Sequence, residues 1–384
     1  MTIDTQLPTT GHRPTWAEID LNNLAANFDT IKARVSPGTN VMAMVKANAY
    51  GHGAVECARR LADARADWFG VATPEEAIEL RDAGIHQPIL CLGGVWSGQA
   101  QAYLQHKLTA VAYRLDMLAA LNRAAADAGA VADVHVKVDT GMGRLGIRFD
   151  ELREFVTGLK QLVNLRVDGV MTHFAAADDS ACQPLTQNQI DRFNEAVALF
   201  RQQGFRPTHI HLANSAGIYG QPKSWGNMIR PGGALYGLWR DVLPLQVGDP
   251  RLQPVMSLHS RISLLKWVPP GETLGYGCTF EASRRSLIAT LPIGYHDGFM
   301  RGLSNRAHVI VRNSFAPVVG RVSMDFTLVD VTNVAGVTLD DQATLMGRGP
   351  DKLEIPAEEL ARIAGTLSYE VTCGISDRVP RVYR

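Results

Sequence analysis

The sequence predicts an α/β chain: an N-terminal (β/α)8 barrel of the TIM type followed by a mostly-β domain. Three observations carry that expectation. Apolar runs of strand length alternate with amphipathic helical stretches from Val41 to Gly237. Several of the helical stretches finish on a glycine, where a helix C-cap belongs. Beyond Leu245 the pattern changes to short period-two runs punctuated by turn residues, as in an all-β domain. A chain of 384 residues has room for a barrel of about 250 residues and one further domain. The expected bounds are 1–12 for a flexible N-terminal extension, 13–244 for the barrel and 245–384 for the C-terminal β domain.

In chain order, WAEID from Trp16 is a short strand candidate. LNNLAANFDTIKARV follows with apolar residues at Leu21, Leu24, Ala25, Phe28, Ile31 and Val35, which is helix spacing, and Asp20 stands at the N-cap. After Pro37-Gly38 come the barrel-strand candidates: VMAMVK from Val41, WFGVAT from Trp68, PILCLG from Pro88, LTAVAY from Leu108, DVHVKVD from Asp133, VDGVMTHF from Val167, THIHLANS from Thr208 and NMIRPGGALYG from Asn227. Helical stretches such as PEEAIELRDAG, LDMLAALNRAAADAG and TQNQIDRFNEAVALFRQQG lie between them. A Pro/Gly-punctuated connection, LPLQVGDPRLQP, leads into the β domain, whose one helical piece is expected at Ala357 to Ala364.

Hydrophobic residues make up 46% and charged residues 20% of the chain, ordinary values for a chain that buries large cores. Lys+Arg and Asp+Glu both number 38, so nothing in the charge points to nucleic acid or an anionic membrane. The 5 cysteines are scattered, with no CxxC and no His-rich metal spacing, which fits free thiols in a reducing compartment and no metal site. The N-terminus lacks a basic start and an apolar core, and no apolar run reaches about 18 residues. A cytoplasmic protein is expected.

The chemistry centres on VMAMVKANAYGHG, Val41 to Gly53. An apolar strand there delivers one amine, Lys46, to a loop of small and turn-forming residues. Burial disfavours the ammonium and so favours the nucleophilic amine. A lone strand-end lysine more often snorkels to water. The company it keeps reverses those odds, because Asp139, His173, Asn214, Ser215, Arg230, Gly232 and Gly233 also fall at C-terminal strand ends, where barrel chemistry sits.

VKANAYGHG resembles the cofactor-lysine motif of the alanine racemases, enzymes that use pyridoxal 5'-phosphate on a fold-type III barrel. KVDTGMGRLG (Lys137 to Gly146), HLANSAG (His211 to Gly217), RPGGALYG (Arg230 to Gly237), LGYGCTF (Leu274 to Phe280), GRVSMD (Gly320 to Asp325) and LSYEVTC (Leu367 to Cys373) match the family in the same order. The likeness runs from about Trp16 to the C-terminus. It implies that Lys46 holds the cofactor as a Schiff base and then serves as the base on one face of the substrate Cα. Inversion needs a second base on the other face, and the resemblance makes it Tyr276, contributed by the partner subunit of a homodimer with shared active sites. His173 and Arg230 would lower the phenol's pKa through a hydrogen-bonded chain, and Arg230 would face the pyridine nitrogen.

The resemblance also distributes the remaining roles. Tyr50, Asn214, Ser215, Gly232, Gly233 and Tyr369 would bind the cofactor, chiefly its phosphate. Arg144 would contact the cofactor's phenolic oxygen and the substrate carboxylate, with Lys137 carbamylated to hold it. Met324 would offer its backbone N–H to that carboxylate while Asp325 orders the loop. Tyr295 and Tyr369 would narrow the entrance, with Asp178, Arg301 and Arg321 further out. His296 and Ser323 depart from the commonest family pattern and bear on the entrance shape. The activity implied is interconversion of L- and D-alanine, supplying D-alanine for peptidoglycan. The alternatives are a broad-specificity serine/alanine racemase and, less favoured, a fold-type III decarboxylase, which would need no second base.

Overall fold

The computed structural model describes residues 13–384; the expected flexible extension, residues 1–12, lies outside the described residues. Each expected barrel run contains a strand: Asn40–Met44, Trp68–Val71, Ile89–Cys91, Thr109–Ala112, Ala132–Asp139, Leu165–Met171, His209–His211 and Met228–Ile229. All are parallel and neighbours in sequence are neighbours in space. The last strand returns beside the first, pairing Met228 with Asn40 and Ile229 with Val41. Between the seventh and eighth strands a seam replaces the ladder. There the Asn227 N–H donates to the Ile210 carbonyl (3.1 Å) and the Asn227 Oδ1 accepts from the Ile210 N–H (2.8 Å).

Strand alternation sorts side chains between two cores. Val134, Val136 and Val138 face the outer helices, as part of one apolar core that continues into the second domain. Met42, Met44, Trp68, Leu90, Val111, Met171 and Met228 fill the barrel interior. The helices begin where local chemistry starts them. Asp20 accepts from the Asn22 and Asn23 N–H groups (3.0 and 2.9 Å) to open Leu21–Arg34, and Thr73 with Glu76 forms a capping box on Pro74–Asp82.

The C-terminal domain is built on a sheet in which Met256–Arg261 and Gln342–Arg348 are central. A smaller sheet, Leu264–Val268, Ser286–Leu291 and Thr327–Asp330, packs beside it. The expected helix is present as Ala357–Ala364, and a second, Ser368–Cys373, follows it. One expectation is corrected. The strand Thr15–Ile19, placed within the barrel span 13–244, belongs to the second domain's main sheet, antiparallel to Met256–Arg261 and parallel to Arg381–Tyr383. The barrel's one seam is bridged by Asn227 to Ile210, whereas the sheet offers a place with a partner on each side. The barrel is therefore an insertion between the first strand of the β domain and the rest of it. Among the described residues no helix is long and apolar enough to cross a membrane.

Candidate active site

Lys46 follows the first barrel strand and opens a turn in which Ala47, Asn48, Ala49 and Tyr50 all lie in the left-handed region, with φ of 52°, 54°, 53° and 55°. Such a run costs each non-glycine residue roughly 1–2 kcal/mol, so other contacts must over-determine it. Glu76 supplies two: its Oε1 accepts from the Ala47 N–H (2.7 Å) and its Oε2 from the Ala72 N–H (2.6 Å), tying the turn to the next strand's end. Asn48 Oδ1 accepts from the Ala54 N–H (2.7 Å) and the Tyr236 hydroxyl donates to the Met44 carbonyl (2.8 Å). A Cβ on Gly51 would overlap the Thr372 carbonyl, so the GHG segment has to be this bare for the helix Ser368–Cys373 to close over it.

The lysine points into a cavity of about 510 Å³ at the C-terminal rim of the barrel, within the range of small-ligand sites. Tyr50, Lys137, Arg144, His173, Asn214, Ser215, Arg230, Gly232 and Tyr369 also line it, and Asp178 and Asp241 stand on its wall. Burial, and after it the Arg144 charge, hold the Lys46 amine below the ordinary lysine range. Lys137 is 5% exposed, and burial followed by Arg230 and Arg144 brings it down to about 8. Arg144 makes no ion pair or side-chain hydrogen bond among the described residues. Its loop is set instead by Asp139, whose carboxylate accepts from the N–H groups of Gly141, Met142 and Gly143 at 3.0 Å each.

Arg230 is 3% exposed, and both of its terminal nitrogens are engaged. Its Nη1 donates to the His211 carbonyl and Nδ1 (2.9 Å each), and its Nη2 to the carbonyls of Thr172 (2.7 Å) and Leu212 (3.0 Å) and to His173 Nδ1 (3.2 Å). Burial, and then the Arg230, Lys137 and Arg144 charges, keep His173 well below the usual histidine range, so its ring is neutral and able to accept.

Opposite the lysine a small polar cradle forms. Ser215 Oγ accepts from the N–H groups of Gly232 (3.0 Å) and Ala234 (3.4 Å). A Cβ on Gly232 would stand 2.5 Å from the Tyr50 hydroxyl, and one on Gly233 would meet the Tyr369 ring. Asn214 caps the short helix Ser215–Gly220, accepting from the Gly217 N–H (3.0 Å). Hydroxyls, backbone donors and glycines that admit a close approach fit a phosphate monoester, and an amine and buried cations across the same cavity fit a pyridoxal ring.

Tyr276, Tyr295 and Met324 are not in this cavity. They are 74%, 41% and 51% exposed on the C-terminal domain, where Phe326 is also 50% exposed. The Tyr295 and His296 N–H groups donate to the carbonyls of Ser323 (2.9 Å) and Met324 (3.1 Å), and a Cβ on Gly277 would meet the Arg321 guanidinium, so these loops form one surface. Sequence reasoning missed Glu76 and Tyr236 as supports of the lysine turn. The T-x-x-E capping spacing was the readable signal for Glu76; Tyr236 offered none.

An amine-bearing (β/α)8 barrel with a polar rim cavity, carrying a β domain that presents a second set of exposed polar and aromatic residues, defines the class: a two-domain barrel protein with a lysine at its rim cavity. The N-terminal domain of alanine racemase matches residues 19–239 and the C-terminal domain of alanine racemase matches residues 255–383. The chain is 44% identical to the alanine racemase of Geobacter sulfurreducens over 97% of both chains. It is 45% identical to that of Symbiobacterium thermophilum over 97% of this chain and 98% of the relative. Among solved structures, the alanine racemase of D-cycloserine-producing Streptomyces lavendulae superposes with a TM-score of 0.91 at 35% identity, covering 98% of each chain. The Bacillus anthracis alanine racemase with bound L-Ala-P gives 0.89 at 34%, covering 98% of this chain and 96% of that one. The chain belongs to the alanine racemase family, whose members are pyridoxal 5'-phosphate-dependent isomerases.

Proposed function

We propose that the protein binds pyridoxal 5'-phosphate in the rim cavity and interconverts L- and D-alanine by a two-base mechanism in which Lys46 and Tyr276 serve opposite faces of the substrate Cα. The observation that carries this reading is the division of the two bases. Lys46 lies in a polar cavity with a depressed pKa, while Tyr276 stands exposed on a different domain.

When bound, the cofactor withdraws electrons from the substrate Cα and so acidifies its C–H. Ser215, Tyr50, Tyr369, Asn214 and the Gly232 and Gly233 backbone hold its phosphate, and Arg230 holds the ring nitrogen. Lys46 Nζ removes or returns the Cα proton on one face, and the Tyr276 hydroxyl does so on the other. Arg144 and the Met324 N–H bind the substrate carboxylate, and Tyr295 with Tyr369 narrows the way in to a small side chain.

Tyr276 reaches the cavity of a second copy, so the active unit is a homodimer. The exposed Tyr276, Tyr295, Met324 and Phe326 are the apolar surface such a copy would cover. Lys137 carries a carbamate whose charge holds Arg144. A cytoplasmic enzyme forming D-alanine for peptidoglycan is the corresponding role.

Mixing two dead variants tests the division of bases. Lys46→Ala and Tyr276→Phe are each expected to lose racemisation of L-alanine in deuterated water. Subunit exchange between them rebuilds one intact site per mixed dimer, returning about a quarter of wild-type activity in an equal mixture. Mixed dimers that form and stay inactive would refute the shared site.

A further inference from the structure

Beneath the cavity floor, polar side chains replace the branched apolar residues that ordinarily fill a barrel interior. His135 and His211 are fully buried, and His209 is nearly so. From Arg230 a line of contacts descends: Arg230 Nη1 to His211 Nδ1 at 2.9 Å, His211 Nε2 to His135 Nδ1 at 2.9 Å, and His135 Nε2 to Asp168 Oδ2 at 3.7 Å. Asp168 Oδ2 also lies 3.5 Å from His209 Nε2, and the Trp68 ring packs on both His135 and His209, with centroids 5.2 and 5.0 Å apart.

This line is constructed by the backbone. The pairing of the fifth and sixth barrel strands runs from Val134 opposite Val167 directly to His135 opposite Gly169. Asp168 is the extra residue of a β-bulge, a device that re-aims a side chain, and it turns inward where simple alternation would send it out. Gly169 then leaves room for the imidazole, since a Cβ there would stand 2.6 Å from His135 Cγ.

While every contact of the line is kept, the donors and acceptors admit one arrangement; without the Asp168 charge the Arg230–His211 Nδ1 contact can be given up, because Arg230 Nη1 retains the His211 carbonyl. An arginine has no acceptor, so His211 Nδ1 must be bare and the neutral ring carries its proton on Nε2. That proton needs His135 Nδ1 as acceptor, so His135 also carries its proton on Nε2, facing the carboxylate. Burial keeps both rings neutral, and His135 and His209 hold Asp168 below the usual carboxylate range. Arg230 itself has no carboxylate partner among the described residues. The line cannot shuttle protons, because its upper end has no site to receive one. It can only fix orientation.

We propose that Asp168 is a positioning residue: its charge fixes the Nε2–H tautomers of His135 and His211, and through them the direction in which the Arg230 guanidinium is offered to the cavity. This rests on the reading of Arg230 as the group facing the cofactor ring. At 3.7 Å the carboxylate acts on His135 by its charge more than by a hydrogen bond.

The test is ¹⁵N NMR of histidine-labelled holoenzyme, together with kcat and KM for wild type, Asp168→Asn and Asp168→Ala. The wild-type spectrum is expected to show both rings purely as Nε2–H, with a bare Nδ1. Both variants are expected to show mixed tautomers and a kcat lower by roughly 2- to 30-fold, with KM little changed. A packing role predicts the opposite ranking, with the isosteric Asn close to wild type and only Ala impaired. Nδ1–H on either ring of the wild type would overturn the proposal without any variant, as would wild-type tautomers and kcat in Asp168→Asn. The NMR readout is independent of turnover, so pure Nε2–H tautomers in a protein that does not racemise alanine would count against the proposed reaction and for the relay.

Discussion

Two rim lysines are pushed the same way for different ends. On the proposed reading Lys46 needs a free amine to take a proton from carbon, whereas Lys137, brought down to about 8 by burial and the Arg230 and Arg144 charges, needs one to add carbon dioxide. Carbamate formation joins the unprotonated amine to carbon dioxide and releases a proton, so its extent should rise with pH through about 8 and with added bicarbonate. Native mass spectrometry on either side of that pH is the check, and an unmodified chain at both would remove the carbamate. Lys46 was readable in the sequence because a strand, a single amine and a GHG turn stand together. The relay under Arg230 was not. In DVHVKVD and THIHLANS the histidines sit at ordinary alternating positions, and only the bulge at Asp168 brings their partner inside.

The turn that carries Lys46 shows what an element can hide. KANAY reads as a loop, and nothing in two alanines announces a left-handed conformation, which alanine adopts at a cost. The cost is met by tertiary contacts from Glu76 and Tyr236, which local sequence does not reveal. Glycine in place of alanine in an ordinary helix destabilises by roughly 0.5–1 kcal/mol. Ala47→Gly, at φ 52°, should instead be neutral or stabilising, because the Cβ penalty disappears. Urea unfolding of the holoenzyme measures this directly, and a loss of ordinary helical size would mean that the turn is not strained. The barrel strands, by contrast, were readable one by one, since each is a short apolar run between helices of clear period.

At the scale of the whole molecule, buried neutral histidines outside the cavity set the acid limit of stability. His52 and His259 are both pushed down to about 4 by burial. A histidine whose folded pKa lies below its unfolded value of about 6.5 binds its proton more readily when unfolded. Its contribution is therefore whole above pH about 6.5 and is lost as the pH falls toward about 4, on the order of 3 kcal/mol for each ring. The urea midpoint should fall over that window and recover part of its loss in His259→Gln; a flat profile would show that the rings charge without unfolding. The presence of a barrel and of a mostly-β domain was readable from the change of period along the chain, but the home of Thr15–Ile19 was not, because a five-residue apolar strand carries no address. That pairing governs the order of events during synthesis. Thr15 meets Ser260 across 245 residues, and at about 5–20 residues per second a ribosome needs roughly 10–50 s to make that interval. The first of the described strands to be made is thus housed only late, and the nascent chain must carry a bare strand edge until the barrel behind it has been made.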